Sequence, residues 1–440
     1  MRIAAGLFAA LLVAPTSLWS AEPISFRGEI APLLLEHCVA CHGAKKAEGG
    51  YRVDTFAELS KAGDSGEPPI ASADEGNGEL LRRLTSEDEF ERMPAESDPL
   101  AEAEIAKVAA WLAAGAKFDG DDPEELLPFV IPPPRHPAPP ASYPKPVPAT
   151  AIAFSPDGGQ ILVGGYHEVT VWDVETGSLV RRIENLGQRI FALELSPDGG
   201  TLAVACGAPG KSGEVRLVDF ASGEVQAVVA RSTDVVLDVA FRPATPELAI
   251  AAADRQIRIV NIETLETVRA MTSHADWVTA IAWSDDGSRM VSASRDRSAK
   301  VFDAESGELL VSYQGHESPV RGVGLSPDGQ HVLSSGSDAF LHRWSISNGK
   351  AVSKVPLGGD GAQITRGEGF VLVPTANERV LQIELAKTTV ARQFEGFGDW
   401  ALSAAWHAES GRIAGGSFDG ELRVWDAASG ELIQSWIAKP

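Results

Sequence analysis

A chain of 440 residues, 44% of them hydrophobic, is longer than one ordinary core needs and apolar enough to fill more than one. Its formal net charge of -23 excludes nucleic acid as a partner, because that interaction needs clustered positive charge to displace counterions. Basic proteins or cations fit better, and about 10 basic against 21 acidic residues between Glu22 and Asp121 place nearly half of the net charge in that stretch.

The chain opens with Arg2, the apolar run Ile3 to Ala14 and a short stretch ending Trp19-Ser20-Ala21. This is the pattern of a secretory signal peptide over residues 1–21, cleaved after Ser20 or Ala21. The run is too short for a permanent span, and no later stretch is both long and uncharged enough to provide one. Next, Glu29 to His37 predicts a helix with Ile30, Leu33 and Leu34 on one face. That helix leads into Cys38-Val39-Ala40-Cys41-His42. Two thiols at this spacing add to the vinyl groups of a haem while the adjacent imidazole takes the iron, so Cys38, Cys41 and His42 are expected to hold one covalent haem c. Covalent haem is added outside the energised membrane, which agrees with export and predicts a bacterial periplasmic location.

Iron bound by His42 has a sixth position to fill. Met93 is the only methionine between the signal peptide and Met271, and Pro94 stiffens its loop. A thioether ligand there would favour ferrous haem and raise the potential. His37 sits beside the attachment motif, where reaching the opposite haem face is difficult, and His136 is a third candidate further along. A second helix is expected after Ser97 or Asp98, where Leu100, Ile105, Val108, Trp111 and Leu112 repeat at helical spacing and Gly115 supplies a stop. Two helices packed around a haem predict a small all-α domain over residues 22–121, with Trp111 in its core.

Residues 122–148 read as a Pro-rich linker. Pro133, Pro134, Pro137, Pro139, Pro140, Pro144, Pro146 and Pro148 fix backbone angles and remove donors, giving a semi-rigid spacer or a segment laid along a neighbouring surface.

From residue 149 to 440 the sequence repeats. Phe154-Ser155-Pro156-Asp157-Gly158 returns as Leu195 to Gly199, Trp283 to Gly287 and Leu325 to Gly329, each a tight turn after an apolar strand. Trp172-Asp173 is echoed by Val218-Asp219, Val260-Asn261, Phe302-Asp303, Trp344-Ser345, Ile383-Glu384 and Trp425-Asp426, in steps of 46, 42, 42, 42, 39 and 42 residues. Seven units in one phase, each long enough for four strands, predict an all-β ring whose last sheet is completed by Glu431 to Trp436. His316 with Asp338 and Trp344, and His274 with Asp296 and Phe302, are expected to form buried polar networks rather than catalytic groups. Asp254 and Asp419 occupy the same place without a histidine, and the sixth unit, Val371 to Leu385, has lost most markers. Gly210-Lys211-Ser212 is not a phosphate loop, since Ala205 stands where the earlier glycine belongs and no helix follows. Cys206 is expected to be a small buried hydrophobe.

The first part resembles the short monohaem cytochrome c domain of planctomycete exported proteins, on Phe26 to Leu34, Cys38 to Gly43, Tyr51 to Thr55, Arg92-Met93-Pro94 and Trp111 to Ala116. That resemblance implies haem carried by Cys38, Cys41, His42 and Met93; Ala95 stands where the family often has a second proline. The second part, from about Ala149 onward, resembles the WD-repeat β-propeller, which implies seven blades. Together they predict an exported cytochrome that transfers single electrons, with the propeller as a protein-interaction platform and a basic redox partner. A periplasmic oxidoreductase exchanging electrons with a substrate or second cofactor at the propeller is an alternative, and a haem-containing binding or sensor module another. No residue is assigned a catalytic role.

Overall fold

The computed structural model describes residues 24–71, 78–95, 97–133 and 135–440; the signal peptide expected over 1–21 lies outside them. The chain divides into two compact units, with the boundary between Pro132 and Pro133. Among the described residues no helix is long and apolar enough to cross a membrane.

The first unit is helical with long connections. A π-turn, Phe26–Ile30, runs into α1 (Ala31–His37), followed by α2 (Phe56–Leu59), α3 (Gly78–Leu84), α4 (Glu102–Ala113) and α5 (Leu127–Val130). The first predicted helix therefore starts about one turn early, because the Ser25 hydroxyl accepts the Gly28 N–H at 2.9 Å and caps the π-turn. The second starts later than its periodicity suggested. Pro99 lacks an N–H and favours extended backbone before it, and the Glu104 carboxylate accepts the Ala101 N–H at 2.9 Å. The unit is not purely α: His42–Gly43 (β1) pairs antiparallel with Lys46–Ala47 (β2). Its core gathers Phe26, Ile30, Leu34, Leu59, Trp111 and Leu127, and Phe26 meets Phe56 edge-on at 5.0 Å.

The second unit is a seven-bladed β-propeller. Each blade is a meander of four consecutive antiparallel strands, over 152–183, 189–232, 236–271, 278–313, 320–356, 365–394 and 401–437. The first strands of all seven blades line a central channel of about 670 Å³. Second strands are covered on both faces, which is why Leu202 to Cys206 form an unbroken apolar run. Fourth strands are far more exposed, as Leu179–Ile183 and Thr389–Phe394 are. The Ser-Pro-Asp-Gly turns join first and second strands. In the first of them the Ser155 hydroxyl donates to Asp157 at 2.6 Å, and Gly158 takes a φ of 66°. The sixth blade, which lost its markers, has the shortest kind of first strand, Thr365–Arg366.

Every blade junction carries one polar side chain reaching the backbone at the inner edge of the next blade, over 2.5–2.9 Å. Thr150 meets Ile190, Glu194 meets Phe241, Asp238 meets Ile281, and Thr279, Ser335, Thr365 and Ser403 continue the series. Burial pushes the Glu194 carboxyl up to about 8 and that of Asp238 up to about 7. The seventh blade is built from its own four strands, ending with Leu432–Ile437, so no N-terminal strand completes it. One backbone bond and two side chains close the ring: the Ala149 N–H donates to the Ser417 carbonyl at 3.0 Å, Ser403 to the Ala149 carbonyl at 2.6 Å and Arg412 to that of Gly158 at 2.9 Å.

The Pro-rich stretch is divided between the units. Leu127 and Val130 belong to the first core, and the Leu127 N–H donates to the Asp54 carbonyl at 2.9 Å. From Arg135 onward the chain lies as a strap on the propeller. The His136 N–H donates to Asn185 at 2.8 Å, its imidazole pairs with Glu214, and Tyr143 donates its hydroxyl to the wholly buried Glu168. Arg182 pairs with that same carboxylate and donates to the Pro140 carbonyl at 2.7 Å.

Candidate functional site

The Cys-Val-Ala-Cys-His motif leaves α1 as a single tight turn. The N–H groups of Cys41 and His42 both donate to the Cys38 carbonyl, at 3.1 and 2.9 Å, which turns both thiols and the imidazole toward one cavity. Gly43 follows because a Cβ there would lie 2.7 Å from the Val39 carbonyl oxygen. The β1–β2 ladder then pins the motif, and the Val53 N–H donates to the His42 carbonyl at 2.8 Å.

His42 is oriented by its own surroundings. Its Nδ1 lies 3.3 Å from the Tyr51 carbonyl, which can only accept, so the proton sits on Nδ1 and the Nε2 lone pair is free to bind a metal. Burial, with Cys41 acting in the same direction, pushes the Cys38 thiol up to about 11. Lys46 Nζ lies 3.8 Å from Cys41 Sγ.

Met93 approaches from a distant part of the sequence. α3 ends at Leu84, a turn closed by the Glu91 and Arg92 N–H groups on the Asp88 carbonyl follows, and the Met93 N–H donates to the Arg83 carbonyl at 3.0 Å. Cys38, Cys41, His42 and Met93 thus line one cavity of about 570 Å³. That volume falls in the usual range of roughly 300–1,000 Å³ for cofactor pockets, and Val53, Leu80 and Leu84 give it apolar walls suited to a macrocycle. His37 lines it too, with Nε2 3.7 Å from Glu104. His136 belongs to the propeller unit, where Glu214 holds its ring. Sequence reading passed over Tyr51 as a functional residue, because its contribution is a backbone carbonyl.

In the propeller, His316 Nδ1 lies 2.8 Å from Asp338 and its Nε2 2.8 Å from Ser334, which also accepts the Trp344 indole N–H at 3.2 Å. His274 repeats this with Asp296 at 2.9 Å and Ser292 at 2.7 Å, while Phe302 has no donor to add. Asp254 pairs with Arg258 at 2.5 Å and Asp419 accepts from Ser417. The serines and His342 escaped the sequence reading. His342 stacks on His316 at 3.7 Å with planes 9° apart and accepts or donates at Tyr313, 2.9 Å away. Parallel rings do not point their lone pairs at one spot, so His316, Asp338 and His342 form a packing motif rather than a chelate. The Gly210 N–H is taken by Asp234 at 2.9 Å, which puts a carboxylate where a phosphate would have to sit. Cys206 is fully buried and accepts the Gly187 N–H at 3.3 Å, and burial pushes its thiol far up.

A cavity with two thiols and an oriented imidazole, on a chain that also forms a β-propeller, defines the class: a haem-binding module with a propeller. The family model for Planctomycete cytochrome C matches residues 38–97, and that for the WD domain, G-beta repeat, matches residues 265–303, 307–345 and 389–426. In its two parts the chain is therefore similar to planctomycete cytochrome c and to WD-repeat proteins. No curated protein matches it.

Proposed function

We propose that this chain is an exported, periplasmic one-electron carrier with one covalent haem c, and that its propeller docks the protein partner. The convergence of Cys38, Cys41, His42 and Met93 on one apolar cavity carries this reading. When bound, haem supplies an Fe(III)/Fe(II) couple. Cys38 and Cys41 would hold it by thioether bonds, and His42 and Met93 would supply the iron's protein ligands. The Tyr51 carbonyl keeps the His42 proton on Nδ1, which preserves the metal-binding lone pair. Val53, Leu80 and Leu84 keep water from the ring. An iron held by both side chains would be closed to substrate, which favours outer-sphere transfer. The signal-peptide pattern at the N-terminus supports export, and the acid-rich first unit supports a basic partner.

An optical redox titration of the mature protein tests this, with carbon monoxide added to the reduced form and Met93→Ala measured alongside. The expected result is a low-spin spectrum that ignores carbon monoxide until Met93 is removed. Ready binding by the unsubstituted protein would defeat the ligand assignment and favour the sensor or oxidoreductase alternative.

A further inference from the structure

Around its apolar walls the haem cavity has an acidic, mostly exposed margin, to which Glu36, Glu48, Asp64, Glu67, Glu79 and Asp98 contribute. Among the described residues that line it, Arg83 is the only one with a permanent positive charge. Haem has two propionate carboxylates on a single edge of the macrocycle. An acidic margin repels that edge everywhere except where a cation waits. We propose that Arg83 is a positioning residue that receives a haem propionate and so fixes which way the macrocycle faces; this rests on the haem reading above.

The surroundings of Arg83 fit that task. Its Nε pairs with Glu79 at 2.7 Å and its Nη1 lies 3.4 Å from the Glu91 carbonyl, while Nη2 has no hydrogen-bond partner among the described residues. Arg82 binds the same Glu79 through two contacts, at 2.6 and 2.8 Å, so this carboxylate keeps a cation if Arg83 turns to a propionate. Arg82 and then Arg83 hold Glu79 down to about 2, which keeps the helix surface ionised throughout the neutral range. The Arg83 carbonyl also holds the Met93 N–H at 3.0 Å. One residue thus braces the loop of the proposed axial ligand through its backbone and meets the propionate edge through its side chain. A guanidinium offers paired donors matched to a carboxylate, which an ammonium does not.

The test is the midpoint potential of the full mature protein across pH 5 to 9, for the unsubstituted chain, Arg83→Gln and Arg83→Lys. Loss of the cation lets a propionate titrate, so Arg83→Gln is expected to have a lower potential that falls further as pH rises through neutrality. Arg83→Lys, which keeps the charge but loses the paired donors, should fall between the two, with a profile that titrates more than that of the unsubstituted chain and less than that of Arg83→Gln. A shift of equal size at every pH would overturn the proposal, since it would mark a distant charge rather than a propionate contact. An unchanged profile would overturn it as well. Should Arg83→Gln fail to fold, the Lys variant still decides: a profile that titrates more than the unsubstituted one supports a lost paired contact, and an identical one counts against it. Absence of covalent haem from the unsubstituted protein would defeat the haem reading itself, whereas haem retained with a flat Arg83→Gln profile defeats the propionate assignment alone.

Discussion

Burial sets the behaviour of His342. With its side chain enclosed between His316, Tyr313 and Phe340, desolvation, reinforced by repulsion from His316 and Lys354, pushes the imidazole from 6.5 down to about 4, against the pull of Asp338. The unfolded chain takes up this proton near pH 6.5 and the folded blade only near 4, so stability is lost as pH falls across that window. The full effect is about 3 kcal/mol. His316, also pushed down by burial, adds in the same direction. His342→Gln keeps a polar partner for Tyr313 without the titration. Its melting temperature should decline less steeply than that of the unsubstituted protein between pH 6.5 and 4, measured by circular dichroism, and equal slopes would refute the assignment.

Among the elements, the strap changes what counts as the propeller. Glu168 has a wholly buried side chain, and both Tyr143 and Arg182 are needed to satisfy it. Tyr143→Phe removes one donor and leaves that carboxylate short of a partner, at a cost of roughly 1–3 kcal/mol. Urea unfolding followed by tryptophan fluorescence should show the lower midpoint; no change would mean that water replaces the phenol. Glu214 is held similarly, since His136 and Arg216 outweigh its burial and keep it down to about 2. A propeller expressed alone should therefore begin at Pro133 rather than at Thr150.

These contacts also mark the limit of what sequence could reveal. The blades were legible because Trp172-Asp173 and its echoes keep one phase, and the thiols and His42 because their chemistry is local. Met93 could be nominated by elimination, yet its approach depends on the Arg83 carbonyl, which no residue type announces. The strap was legible as proline only. Proline says that a segment is extended, whereas its docking depends on Glu168 and Glu214, which read as ordinary strand residues until their partners are seen. α2, α3 and α5 are too short to show a period, and the helix before the cysteines showed its face but not its π-turn.

At the scale of the whole molecule, stability is shared among repeated sheets, each carried by its neighbours. Six junctions join blades that the chain itself connects. The seventh joins segments at opposite ends of the propeller, held by one backbone bond from the Ala149 N–H to the Ser417 carbonyl at 3.0 Å, by Ser403 and Arg412, and by the packing of Ile161, Trp172, Leu422 and Val424. No strand is shared across it. The ring thus has a seam, and a ring with a seam breathes there first. Native-state hydrogen exchange should find the Ala149 amide, which bonds across the seam to Ser417, exchanging with a lower opening free energy than the Ile281 amide, which Asp238 holds between the third and fourth blades, and equal protection of the two would mean that the seam is as tight as the other junctions. Such a seam acts as an expansion joint: it lets six well-fitted junctions keep their geometry while small mismatches of angle collect at the one junction that no chain connection bridges.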